Sequence, residues 1–125
     1  HTHAQSDVAG LTAALAGIVE TKTYTGNGGT GEANAVTLTF AHPPKIVFVF
    51  GLPSSGTANL QCAVLVSGMP RGLILYVPQS GQVYAYVPMT TWSGNSVKLY
   101  HTADSGAGSL QMNVSGCSYA VVAMT

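Results

Sequence analysis

Beyond about Thr21 the chain is cut into short apolar stretches roughly ten residues apart, and that spacing constrains the fold more than any other feature. Runs rich in Val, Ile, Leu, Tyr and Phe occupy 36–40, 45–50, 61–66, 72–77, 82–87, 96–101, 110–114 and 119–124. Clusters of Gly, Ser, Asn and Pro separate them at 26–29, 53–56, 67–70, 79–81, 93–95 and 105–108. Such clusters make turns because Gly reaches positive φ, Pro presets its own φ, and Asn and Ser bond their own backbone. Short strands with turns between them predict a mainly β fold, an antiparallel β-sandwich or jelly-roll-like head. Ile46-Val47-Phe48-Val49-Phe50 is apolar at every position, as in a buried strand. With 125 residues the chain is long enough for one compact domain with a real core.

The first twenty residues read differently. Val8, Leu11, Leu15 and Ile18 are separated by three, four and three positions, the a/d spacing of a coiled-coil seam. Ser6 or Asp7 is placed to cap a helix, and Ala13, Ala14 and Ala16 favour one, whereas Gly10 and Gly17 oppose it. Isolated helices below about 12–15 residues are marginal in water, so a seam this short implies neighbouring copies. Residues 1–20 are therefore expected to form a short N-terminal helical stalk that associates with copies of itself, and 21–125 the β-sandwich head.

His1-Thr2-His3 opens that segment. Residues two apart point the same way in extended chain. Three parallel copies would bring six imidazoles to one axis, an octahedral set that suits a first-row divalent ion, iron(II) above all. The expected cofactor is one structural metal ion on the trimer axis, held by His1 and His3. The plainer alternative is a terminus with no ligand role.

Charged residues are only 6% of the chain and the net charge is zero with neutral histidines. Lys22, Lys45, Arg71 and Lys98 are scattered, so no basic patch for nucleic acid or an anionic membrane is expected. No apolar run approaches the ~20 residues of a membrane helix. Solubility must come from Ser, Thr, Asn, Gln and backbone, which suits a β-rich protein partly buried in an assembly. Cys62 and Cys117 lack metal-site spacing and read as two small buried hydrophobes, with a disulfide as the alternative.

His1-Thr2-His3 followed by Ser6-Asp7-Val8-Ala9-Gly10-Leu11-Thr12-Ala13-Ala14-Leu15 resembles the "HTH…DVTGLQAAL" segments of bacteriophage and prophage tail fibres. Lys22-Thr23-Tyr24-Thr25-Gly26-Asn27-Gly28, Thr37-Leu38-Thr39-Phe40, Pro44-Lys45-Ile46-Val47-Phe48-Val49 and Trp92-Ser93-Gly94-Asn95-Ser96 look like the small β-rich domains at the distal ends of such fibres. The resemblance implies a distal, C-terminal tail-fibre or receptor-binding domain: a homotrimeric, non-enzymatic knob on the virion, extracellular when acting, that touches a bacterial surface glycan or protein. It also implies that the chain, which opens inside a motif, is a piece of a longer one. Fibres with metal-bound shafts often carry several H-x-H motifs; this chain has one, at its first residue. The alternative is a purely structural trimerisation or capping module.

For ligand binding the candidates are Trp92, Asn95, Tyr84, Tyr86, Tyr76 and Tyr100. Sugar rings stack on aromatic faces, and Asn and Ser groups fix orientation in concave sites. Tyr84 and Tyr86 share a strand face, and Trp92-Ser93-Gly94-Asn95 reads as an exposed turn. The competing reading places these rings in the core or between subunits. No catalytic residues are expected. The acidic residues are Asp7, Glu20, Glu32 and Asp104, and only the last two fall in the head, both in Gly-rich turns. A glycosidase needs two carboxylates flanking one bond, and no G-x-S-x-G elbow occurs. Gly26-Asn27-Gly28-Gly29-Thr30-Gly31 lacks the Lys and following helix of a phosphate loop and reads as a turn.

Overall fold

The structure is a computed structural model that describes residues 2–16, 18–51, 60–78, 81–102 and 108–125. It is mainly β. Nine strands run β1 (Val19–Thr25), β2 (Val36–Thr39), β3 (Ile46–Gly51), β4 (Leu60–Val66), β5 (Leu73–Val77), β6 (Tyr84–Tyr86), β7 (Met89–Ser93), β8 (Ser96–Tyr100) and β9 (Ser118–Met124) among the described residues. They build a six-stranded sheet, β1-β9-β3-β4-β5-β6, and a three-stranded sheet, β2-β8-β7. Every pairing between named strands is antiparallel. The sheets pack face to face in a sandwich-like arrangement, as the turn spacing predicts.

Pairing register assigns each side chain to a face. On the inner face of the large sheet stand Val47 and Val49 from β3, Ala63 and Leu65 from β4, Ile74 from β5, and Tyr119, Val121 and Ala123 from β9, all buried. The small sheet answers with Val36, Leu38, Val97 and Leu99, and Met112 joins the same core. Gly51 sits on this inner face against the Tyr119 ring, where any β-carbon would strike the ring.

Strand β1 was not legible as a strand, because its polar residues mask it. Thr21, Thr23 and Thr25 face outward, while Glu20 and Lys22 face inward at the sheet's edge. There the Glu20 carboxylate accepts from the backbone N–H of Ala41 at 2.9 Å and of His42 at 3.1 Å. The Lys22 ammonium donates to the Thr39 carbonyl and lies 4.6 Å from the Phe40 ring centroid. The two charges thus bind the edge of one sheet to the turn that leaves the other. β7, also unforeseen, has two Thr among its five residues and forms the edge of the small sheet.

The strand expected at 110–114 does not form. A 3-10 turn (Gly108–Gln111) leads into Met112 at φ 55, with Gln111, Met112 and Asn113 buried. Side-chain hydrogen bonds displace the ladder here. The Gln111 amide donates to the Asn34 carbonyl at 2.9 Å and accepts from the Gly31 N–H at 2.9 Å and the His101 N–H at 3.2 Å. The Asn113 amide donates to Asn27 Oδ1 at 2.7 Å and the Gly29 carbonyl at 2.9 Å, and its oxygen accepts from the Asn27 N–H at 3.0 Å.

At the N-terminus the helical content is smaller than expected: a 3-10 turn (Gln5–Asp7) and α1 (Leu11–Ala16). Gly10 at φ 77 breaks the path between them, so Val8 precedes the helix. Asp7 does not cap α1; its carboxylate accepts from the Ala4 N–H at 2.8 Å. The segment runs into β1, and the Thr125 N–H donates to the Ile18 carbonyl at 2.9 Å.

Candidate binding surfaces

The six aromatic and amide candidates divide into separate places. Tyr76 and Tyr84 are cross-strand partners, with ring centroids 6.3 Å apart and planes tilted by 47°. Tyr86 stands two residues from Tyr84 on the same inward-turned face, opposite Ile74, and packs against the core. These three therefore gather at the β5–β6 end of the large sheet. β6 is that sheet's free edge, and Tyr84 remains 42% exposed there. An exposed ring braced edgewise by a second one is a stacking surface for a flat or ring-shaped apolar group.

The other three lie elsewhere. Trp92 is not in an exposed turn: it is on the inner face of β7, half-buried against the core, and its indole N–H donates to the Met69 carbonyl at 3.0 Å. Thr90, two residues earlier, donates its hydroxyl to that same carbonyl at 2.6 Å. Asn95, in the β7–β8 hairpin, donates its amide to the Ala41 carbonyl at 3.1 Å. Tyr100 pairs with Met89 on the opposite, outward face of the small sheet. Trp92 and Asn95 thus spend hydrogen bonds on holding turns together.

Of the expected metal ligands, His1 lies outside the described residues. His3 is exposed. Among the described residues no three His, Cys, Asp or Glu side chains gather as a metal site. Asp104 also lies outside the described residues, and Glu32 is exposed in the 3-10 turn Glu32–Asn34. The Gly26–Gly31 stretch turns several of its N–H groups inward: Gly26 donates to Cys117, Gly28 to Asn113, Gly29 to Asn27 and Gly31 to Gln111. That is a structural turn, as its sequence predicts. Cys62 and Cys117 are free thiols, and burial pushes the Cys62 thiol upward.

The surface that sequence reasoning missed is the outer face of the large sheet. Register lays it out in rows: Val19, Met124, Ile46 and Val66; then Thr21, Val122, Phe48, Val64 and Leu73; then Thr23, Ala120, Phe50, Cys62, Leu75 and Ala85. No charged side chain stands among them. Val19, Phe50, Leu60, Val66, Leu73 and Met124 are each 40–50% exposed. Beside Phe50 the face dips into an open concavity of about 510 Å³, bordered also by Thr23, Leu60, Ser118 and Ala120. The outward face of the small sheet is its opposite, with Thr37, Thr39, Thr91, Ser93 and Lys98 in the water. The signal for the apolar face was in the sequence. β3, β4 and β5 are apolar at almost every position, which marks strands covered on both faces, whereas a two-sheet sandwich covers one.

No protein-family model, curated protein or solved structure matches this chain.

Proposed function

We propose that this chain is the receptor-binding tip of a bacteriophage or prophage tail fibre. It would act as a parallel homotrimer that recognises a bacterial surface glycan or protein without chemical turnover. The observation that carries the reading is the N-terminal segment. His1-Thr2-His3 precedes a heptad-spaced run whose Val8, Leu15 and Ile18 are 49, 47 and 48% exposed on a single chain, and the run leads directly into a β-sandwich head. Only Leu15 of the three lies in α1, with Val8 before it and Ile18 after it; apolar side chains left in water this way are surface that neighbouring copies of the segment would cover. His1 and His3 of three chains would complete a six-imidazole structural site, for which iron(II) is the best-suited ion. Each head offers the Tyr76–Tyr84 pair at its sheet edge, with Tyr86 beside it. Three linked weak sites bind a repetitive surface far more tightly than one.

A second reading, a structural capping module, is favoured by Trp92 and Asn95, whose polar atoms serve internal hydrogen bonds. Tyr84→Ala separates the two. The tip reading expects loss of cell adsorption with the native mass unchanged at three chains of 12.8 kDa each. Adsorption equal to that of the unaltered protein would leave the capping module. Incubation with host polysaccharide is expected to release no reducing ends, and their release would replace both readings with a depolymerase.

A further inference from the structure

We infer that the outer face of the six-stranded sheet is the main contact between copies of this chain, adding to whatever contact the N-terminal segments make with one another. The inference rests on the trimer reading above and names the surface that the trimer would use.

Coverage follows from comparing the two outward faces of one sandwich. The small sheet turns Thr, Ser and Lys to water. The large sheet turns Phe48, Phe50, Val64, Leu73 and Leu75 outward instead. Six strands about 4.8 Å apart and some six residues long, at about 3.3 Å per residue, span roughly 550 Å² in projection. Thr21, Thr23, Thr25 and Ser118 interrupt it on the β1 side, so its apolar part falls within the ~300–600 Å² of a typical monomer's largest apolar patch. The face as a whole approaches the ~800 Å² that each partner buries in a standard interface. An apolar, uncharged sheet face resembles a domain core cut in half, the composition of obligate contacts between copies.

The occupant follows from continuity. Val19, Met124, Ile46 and Val66 form the row of this face nearest the N-terminal segment. Val19 follows Ile18, the last of the heptad residues, and Thr125 ties Ile18 to the end of β9. The N-terminal segment therefore enters the sheet at the Val19 row, and copies joined at that segment would stand side by side at this end of the face. Val8, Leu15 and Ile18 of the segment are half-exposed and would be covered by parallel copies of it, so the bodies brought alongside this face are the heads of those copies. The face carries no charge to select a different, charged partner.

Cys62 provides a reporter, because it stands in the middle of the face between Phe50 and Leu75. The test treats the full chain with N-ethylmaleimide at neutral pH and reads labelling site by site, alongside the native mass. Val64→Lys places a charge at the centre of the face, and Thr91→Lys places one on the small sheet as a control. The expected result is three chains for the unaltered protein and for T91K, and a folded single chain for V64K. Cys62 in the trimer is expected to label at least about tenfold more slowly than in V64K, since thiol reactivity follows exposure. A V64K trimer, or an unaltered trimer whose Cys62 labels at the rate of a urea-unfolded chain, leaves the fibre reading standing and overturns this face as the contact. An unaltered protein that stays monomeric overturns both. If V64K does not fold, the labelling of the unaltered chain decides by itself.

Discussion

The hydroxyl of Tyr119 shows how much one buried side chain organises here. It accepts from the Val114 N–H at 3.0 Å and donates to Gln61 Oε1 at 3.2 Å, while its ring stacks on Tyr24 at 4.9 Å. Tyr24 in turn donates to the Met112 carbonyl at 2.7 Å. Burial, with smaller contributions from the neighbouring ring and the Cys117 thiol, pushes the Tyr24 phenol far above its ordinary 10.0. Burial does the same to Tyr119, although the Val114 N–H opposes it. Both folded pKa values lie above the unfolded one. The stability they protect is therefore whole below pH 10 and is lost as the pH rises beyond it, where the unfolded chain sheds protons that the folded chain keeps. The urea midpoint should hold level from about pH 7 to 9 and fall steeply above about pH 10. Tyr119→Phe should make that fall shallower, while costing about 1–2 kcal/mol at neutral pH by removing its hydrogen bonds with Gln61 and the Val114 N–H. A midpoint level through the alkaline range would contradict this placement. Trp92→Ala and Tyr84→Ala should behave as opposites. Trp92 packs on the core and anchors Met69, so its loss should cost about 2–3 kcal/mol in urea unfolding. Tyr84→Ala at the exposed edge should cost less than about 1 kcal/mol, since substitutions away from buried features act weakly.

At the scale of elements, legibility followed the source of each element's order. β3, β4, β5, β8 and β9 were visible because apolar runs bounded by Gly, Ser or Pro are local signals. β1 was hidden because its alternation is Thr against charge, and those charges make sense only beside the turn at Ala41 and His42, about twenty residues away. The 110–114 segment misled for the converse reason. Leu110, Met112 and Val114 alternate as a strand would, but Gln111 and Asn113 are buried and bond to residues 27–34, a pairing that no local pattern announces. Asn113→Ala should consequently loosen an element distant in sequence. It strips three hydrogen bonds from the Asn27–Gly29 turn and should cost about 2–3 kcal/mol. Hydrogen exchange should quicken at Asn27 and Gly28, whose N–H groups bond to Asn113, and stay unchanged in β3 and β4. Equal quickening throughout would mean that the pin holds the whole sandwich rather than the turn. The candidate site was partly legible. Sharing of one face by Tyr84 and Tyr86 follows from strand period, but the pairing with Tyr76 needs the β5–β6 register, and the inward turn of Trp92 needs the small sheet.

The whole molecule is lopsided. One outward face is polar and the other largely apolar, and the N-terminal segment leads into β1 at the edge of the latter. In the proposed trimer the contributions of segment and sheet are unequal. α1 has six residues and Gly10 interrupts the seam before it, well short of the ~12–15 residues at which a helix becomes stable alone. A terminal six-imidazole site can lock such a segment but covers little apolar area. The large sheet offers roughly 550 Å² per copy by its strand dimensions, so it should carry most of the association. Chelation is then expected to remove one metal ion and leave the native mass at three times 12.8 kDa, with the melting temperature lowered because a ligand of the folded state has been withdrawn. His3→Ala should reproduce that state without a chelator, and Leu15→Asp should weaken the trimer without abolishing it. Collapse to single chains on chelation would place the association in the histidines and the seam, and the sheet face would then need another occupant. A trimer that carries no metal before chelation would leave the sheet as the contact and remove the ligand role of His1 and His3.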